Sequence, residues 1–185
     1  MRQDIENLIQ AWKKRNILGW YCQDRNAAVE KIVELIPLSA TIGMSGSQTL
    51  EQVGLVQALE ARGNLVFNQY RPGISREQSL ELRSQGVSAD YYLASANAVA
   101  KTGELVFFSA FGNRSAGIAN AKNVIIVCGI NKLTDNLETA IARSREYATP
   151  RNCKRLNWNA PCVKDGVCKK SICLFDEYKR MCCQV

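Results

Sequence analysis

The sequence predicts an α/β fold: a mostly parallel sheet with helices on both faces. Two observations carry this. Short, nearly continuous apolar runs recur along the first 150 residues, and segments with apolar residues at helical spacing separate them. Strands buried on both faces read as such runs, and parallel neighbours need helical crossovers.

In order, Ile5, Leu8, Ile9 and Trp12 fall at i, i+3, i+4 and i+7, which predicts an amphipathic helix over residues 4–15. Residues 17–22 (Ile-Leu-Gly-Trp-Tyr-Cys) read as a short strand. Asp24 or Asn26 caps a second helix with Ala28, Ile32, Val33 and Ile36 on one face, and Pro37 lies past its end. Residues 40–44 form a buried strand. Ser45 with Gln48, and Thr49 with Gln52, both have capping-box spacing, and a helix through about residue 61 follows with Leu50, Val53 and Val56 inward. Residues 65–67 are the next strand. Ser75 with Gln78 opens another helix. Residues 91–94, 105–108 and 124–128 are strands, the last the most strand-like run. Thr134 or Asp135 caps a final helix with Leu137, Ala140, Ile141 and Ser144 inward.

In open parallel sheets, ligands bind beyond the carboxyl ends of the strands. That rule selects the loops Gly43–Thr49, Asn68–Gly73, Ser95–Asn97, Ser109–Arg114 and Gly129–Lys132, which are rich in Gly, Ser, Asn and Arg. In the first, Gly43, Ser45, Gly46, Ser47 and Thr49 combine close backbone approach with hydroxyls and free N–H groups, a chemistry for phosphate or carboxylate. The plain alternative is an ordinary strand-to-helix turn. Asn113 and Arg114 lie where a guanidinium can fork onto an anion, or pair with a surface acid instead. Asn97, Asn131 and Lys132 are further candidates for the same small anionic ligand. Glu104 opens a strand; as a nucleophile or base it would need burial or a partner, and otherwise it is a solvated turn residue.

The chain has 185 residues, 46% hydrophobic and 22% charged, an ordinary globular composition. The chain has eight cysteines and no histidine; the lack of histidine excludes a Ser-His-Asp or Cys-His mechanism from the chain's own residues, and any metal site using histidine. No apolar run is long enough for a membrane span, and the polar start MRQDIENLIQ carries no signal-peptide core, so a cytoplasmic protein is expected.

Six of the eight cysteines follow residue 150: Cys153, Cys162, Cys168, Cys173, Cys182 and Cys183. Eight basic residues against three acids give that tail +5 of the net +7. The reading is therefore an α/β domain over residues 1–150 and a basic, cysteine-rich tail over 151–185. Reduced thiols at this density argue for metal, and without histidine they suit an iron–sulfur cluster ahead of zinc. Free thiols, a disulfide clip or a structural zinc knot are the alternatives. Cys22 and Cys128 sit in apolar strands and read as small core residues. The basic tail contains no nucleic-acid motif and few aromatics, so a solvated face or a docking surface for an acidic partner outweighs nucleic acid.

Several separated motifs also carry a family resemblance. Gly46-Ser47-Gln48-Thr49-Leu50, Ser95-Ala96-Asn97-Ala98-Val99, Thr102-Gly103-Glu104-Leu105-Val106, Gly112-Asn113-Arg114 and Gly129-Ile130-Asn131-Lys132 occur in this order. Over about residues 1–175 the chain resembles the LUD-domain family, which includes the lactate-utilisation protein C type. The resemblance implies a fold of the ribose-5-phosphate isomerase/CoA-transferase-like kind. It also implies a role near L-lactate oxidation, alongside partner subunits carrying FAD and iron–sulfur centres. Two stretches depart from the family pattern. Where the family reads Asp-Gly-Thr/Ser-Gly-Asn-Arg, this chain has Phe108-Ser109-Ala110-Phe111-Gly112-Asn113-Arg114 and lacks the acid. In the tail, Pro161-Cys162, Cys168 and Cys173 fit, but Lys169-Lys170 stands where an Asp-Cys pair is expected.

The expectation is a redox accessory protein related to lactate utilisation. Ser45, Gly46, Ser47 and Arg114 would hold the anion, and Cys162, Cys168, Cys173 and Cys182 (or Cys183) the metal. The alternatives are an isomerase or acyl/CoA-transfer enzyme using Glu104, and a regulatory partner-binding module with a structural zinc. The sequence leaves room for a homo-oligomer.

Overall fold

The computed structural model describes residues 2–168, Cys173 and residues 176–182. Cys183 and the Lys169-Lys170 pair lie outside the described residues. In chain order the elements are α1 (Arg2–Lys13), α2 (Arg25–Leu35), β1 (Ile42–Met44), α3 (Gln48–Val53), α4 (Leu55–Arg62), β2 (Val66–Phe67), α5 (Arg76–Val87), β3 (Tyr91–Ala94), β4 (Ala98–Ala100) and β5 (Leu105–Val106). Then come α6 (Asn113–Asn120), β6 (Asn123–Ile126), a 3-10 turn (Ile130–Lys132), β7 (Leu133–Thr134), α7 (Leu137–Arg143), a π-helical turn (Ser144–Ala148), α8 (Thr149–Arg155) and α9 (Cys162–Asp165). The α/β class stands.

The chain forms two compact units. Residues 21–95 and 113–129 build the first around a parallel sheet of order β2-β1-β3-β6. Side chains alternate across a strand, so each face has its own packing. Ile42, Met44, Val66 and Leu93 meet Ile32 and Ile36 at the end of α2, Leu50 of α3, and Leu55, Val56 and Leu59 of α4 in one buried cluster. On the other face the backbones close in: a side chain at Gly43 would strike Gly86 of α5, and one at Gly117 of α6 would strike the ring of Tyr92. Helices therefore cover both faces.

The described residues among 1–20, 96–112 and 130–185 build the second unit. Its three-stranded sheet has the order β5-β4-β7, with β4 antiparallel to β5 and parallel to β7. β4 follows β3 after only three residues, too few for the crossover that a parallel neighbour requires, so it leaves the first sheet. Ala98, Ala100, Val106, Phe108 and Ala140 form its core. A third cluster gathers Cys153, Ala160, Cys162 and Met181, so the described tail packs in this unit.

Several local expectations change. Residues 17–22 form no strand: Leu18 is 75% exposed, and the run has no ladder partner among the described residues. The helix expected to run to residue 61 breaks at Gly54, which takes a left-handed conformation (φ 70°) and separates α3 from α4. Of three adjacent hydroxyls, Ser47 is the one that caps α3, accepting from the Leu50 N–H; neither expected box forms there. The expected strand over 105–108 ends at Val106. The cap of α7 is Asn136, in a box with Thr139, rather than Thr134 or Asp135. Leu137 is consequently 45% exposed, while Ala140 and Ser144 are buried as expected. Asp24 caps α2, and Ser75 with Gln78 makes the anticipated capping box. Among the described residues no helix is long and apolar enough to cross a membrane.

Candidate functional site

In the first unit, the carboxyl ends of β1, β3 and β6 bring a polar group together. Ser45 continues the ladder one residue past β1, its N–H donating to Leu93 O (3.0 Å), and Val127 N–H donates to Ala94 O beyond β6 (2.9 Å). The buried Ser45 hydroxyl accepts from Arg114 Nε (3.4 Å), and Arg114 Nη2 donates to the Gly46 carbonyl (3.0 Å). Arg114 reaches there from the first turn of α6. Its burial lowers its pKa from the ordinary guanidinium value, and the ionisable groups acting on it are Tyr70, Tyr92 and Cys128. Arginine in a protein keeps its charge at neutral pH.

The surroundings are also polar. The Tyr70 ring lies over Gly46, where a Cβ would come within 2.8 Å of it, and Asn113 Nδ2 donates to the Tyr70 hydroxyl (3.4 Å). The buried Gln69 donates to Met44 O (3.3 Å) and accepts from Arg83 Nε (2.7 Å), which places a second guanidinium near the end of β1. Ser95 and Cys128, just past β3 and β6, lie 3.9 Å apart through Oγ and Sγ. Tyr92 donates to Asn113 O (2.9 Å), and burial holds its phenol well above the usual range, so it stays neutral. Two cations, hydroxyls and amides at the ligand edge of a parallel sheet can hold and orient a small anion.

Seven of the ten expected ligand residues belong to this unit: Gly43, Ser45, Gly46, Ser47, Thr49, Asn113 and Arg114. Gly43 lies inside β1, where its missing side chain admits α5, and the Ser47 hydroxyl is committed to its cap. Asn97, Asn131 and Lys132 belong to the second unit, where they tie backbone together. Asn97 Oδ1 accepts from Phe108 N–H (2.9 Å), Arg143 donates to the carbonyls of Asn97 (2.5 Å) and Asn131 (3.0 Å), and Lys132 donates to Ala96 O (2.9 Å). Tyr70, Gln69, Arg83, Ser95 and Cys128 were not among the expected residues. Gln69, Tyr70 and Ser95 do lie in selected loops; Arg83 sits mid-helix, where no local signal marks it.

Glu104, also in the second unit, is in the turn between β4 and β5. Arg15 Nη2 donates to it (2.8 Å), and so does the Thr102 hydroxyl. The Thr102 hydrogen bond, then the backbone and Arg15, hold its carboxyl below the usual range, so it is an ionised, paired group. This is the geometry of a clasp between α1 and the β4–β5 turn, which Trp12 Nε1 extends by donating to Gly103 O (3.0 Å).

The tail thiols converge more than their spacing indicated. Cys153, Cys162, Cys168, Cys173 and Cys182 all line one cavity of ≈ 20 Å³, with Met181 and Arg145 also in its wall. Cys153, Cys162, Cys173 and Cys182 are free thiols. Burial, then the neighbouring Cys162, raises the Cys153 thiol, and burial raises that of Cys173. Cys182 beside it raises the Arg180 guanidinium above its ordinary value. Among the described residues, no three Cys, Asp or Glu side chains stand grouped as a metal site.

A family model described as the LUD domain matches residues 5–181. No curated protein and no solved structure matches the chain. The family match takes in both compact units and the described tail through Met181, and the chain belongs to the LUD-domain family.

Proposed function

We propose that this protein binds a small carboxylate at the carboxyl edge of the parallel sheet, in a function related to lactate utilisation. The observation that carries the site is the partly buried Arg114 guanidinium, set against Ser45 and Gly46 at the end of β1. Arg83, Tyr70 and Asn113 complete a polar, net cationic rim. LUD-domain membership supports the lactate-related setting. Arginine recognises a carboxylate through paired N–H donors, and lysine does not reproduce that fork. Calorimetric titration with L-lactate, pyruvate and phosphate tests the site. Binding of a carboxylate that Arg114→Lys weakens at least ~10-fold supports it; undiminished binding in that variant removes Arg114 from the site.

The proposal extends to the tail as a thiolate metal centre in a redox accessory role, with flavin or iron–sulfur partner subunits. Cys162, Cys168, Cys173 and Cys182 would hold the metal. The donor set supports this: the cavity wall offers sulfur donors and no carboxylate among the described residues, which suits a soft metal or an iron–sulfur cluster. Arg145 in the same wall has a buried Nε with no hydrogen-bond partner, as an anionic thiolate centre would require. A bound cluster would supply one-electron transfer, and bound zinc would supply a structural tie. Iron, sulfide and zinc analysis of anaerobically purified protein decides between them. A protein carrying none, and taking up none, contradicts this half of the proposal.

A further inference from the structure

Arg145 lies outside the cysteine-rich tail, yet three independent features set it apart. It belongs to the π-helical turn Ser144–Ala148, between α7 and α8. π-turns are rare, cost regular hydrogen bonding, and occur frequently at functional sites. Here the turn brings Arg145 into the wall of the cavity that Cys153, Cys162, Cys168, Cys173 and Cys182 line. Its Nε is buried with no hydrogen-bond partner, the one such side-chain atom among the described residues. A buried donor left unpaired is destabilising. The guanidinium is otherwise accounted for by the Phe108 ring, 5.8 Å from its carbon.

We infer that Arg145 is the charge-balancing donor to the thiolate centre: when the thiols ionise around a metal, its guanidinium neutralises part of the resulting negative charge and Nε–H bonds a sulfur. Several thiolates around a divalent ion carry net negative charge, and burying that charge in a largely apolar cavity requires a cation beside it. Arg145 is thus a positioning residue, acting through the sulfurs without touching the metal. The inference rests on the thiolate-centre reading.

The full-length chain is loaded with Zn2+ alone or Co2+ alone under anaerobic conditions. Metal affinity is read by chelator competition, and the sulfur-to-cobalt charge-transfer band is recorded. Wild type, Arg145→Gln, Arg145→Lys and the tail control Arg155→Gln are compared. Loss of an outer partner typically weakens a metal site 10–100-fold. Arg145→Gln is expected to lose at least ~10-fold in affinity and to shift the charge-transfer band. Arg145→Lys keeps the charge but not the Nε–H, so it should fall between, and Arg155→Gln should match wild type. If Arg145→Gln does not fold, Arg145→Lys decides: affinity and band equal to wild type overturn the role. Wild-type affinity in a folded Arg145→Gln overturns it alone, leaving the thiolate centre standing. A wild-type chain that binds neither ion overturns both.

Discussion

The approach of β1 to α5 gives the sharpest stability prediction. A Cβ built on Gly43 lies 1.8 Å from the Gly86 carbonyl oxygen, 2.5 Å from its carbon and 2.8 Å from its Cα. Ordinary contact begins at 3.4 Å, so the strand and helix must separate by about 1.6 Å. Every obstructing atom is backbone, so no rotamer change relieves the clash. β1 is also held on both sides by β2 and β3. Overpacking costs ~1–3 kcal/mol where side chains can give way, so Gly43→Ala should cost about 3 kcal/mol or more. For a chain of this length, that is a fall in Tm of roughly 6–12 °C. The reciprocal change behaves differently. A Cβ on Gly86 meets Gly43 Cα at 3.4 Å and Phe67 Cβ at 3.5 Å, which is normal packing. Inside α5, alanine also gains up to ~1 kcal/mol of helix propensity over glycine. Thermal and urea unfolding of both variants measure the asymmetry. Gly43→Ala within ~0.5 kcal/mol of wild type, a margin ordinary for surface changes, would refute the close approach. So would equal destabilisation by the two alanines.

Ser47→Ala removes the cap on the Leu50 N–H and should cost ~1 kcal/mol, seen as a lower Tm. Tyr92→Phe leaves the Asn113 carbonyl without its buried donor and should cost about 1 kcal/mol in urea unfolding. The carboxyls of Asp90 (by Lys122, then Thr41) and Glu104 (by Thr102, then its backbone and Arg15) are held below their ordinary values. Their contribution to stability is therefore complete above the unfolded carboxylate pKa and is lost as pH falls through the lower folded values. A Tm profile from pH 7 to 3 should fall on the acid side, and Asp90→Asn should flatten that fall; an unchanged profile would contradict the assignment. Glu104→Gln should leave carboxylate binding unaltered, which titration of that variant checks.

Much of the first unit was legible because its signals are local. Apolar spacing marks α2, as it does α1 of the second unit; side-chain caps mark the starts of α2 and α5; and short apolar runs mark β1, β3 and β6. What failed depended on partners. Residues 17–22 have strand composition, but β-propensity reflects fit to a neighbouring strand, and none pairs with them among the described residues. β4 is Ala-Val-Ala, poor in the residues that announce strands, and β7 has two residues. Three hydroxyls compete to cap α3, and only the fold selects Ser47. The site shows the same division. Arg114 was visible because it follows a strand; Arg83 comes to the end of β1 only through the packing of α5. The thiols were visible as a cluster in sequence, yet that cluster drew no attention to Arg145, which enters their cavity by a π-turn that no composition signals.

The central claim is that a small carboxylate sits against Arg114 at the end of β1. Amide and Arg side-chain NMR of the isotope-labelled chain during titration with L-lactate tests it most directly. The account predicts saturable shifts at Ser45, Gly46 and the Arg114 Nε–H, with the Glu104 amide unmoved. Saturable shifts that leave Ser45, Gly46 and Arg114 unchanged, or no shifts with L-lactate, pyruvate or another small carboxylate, would contradict it.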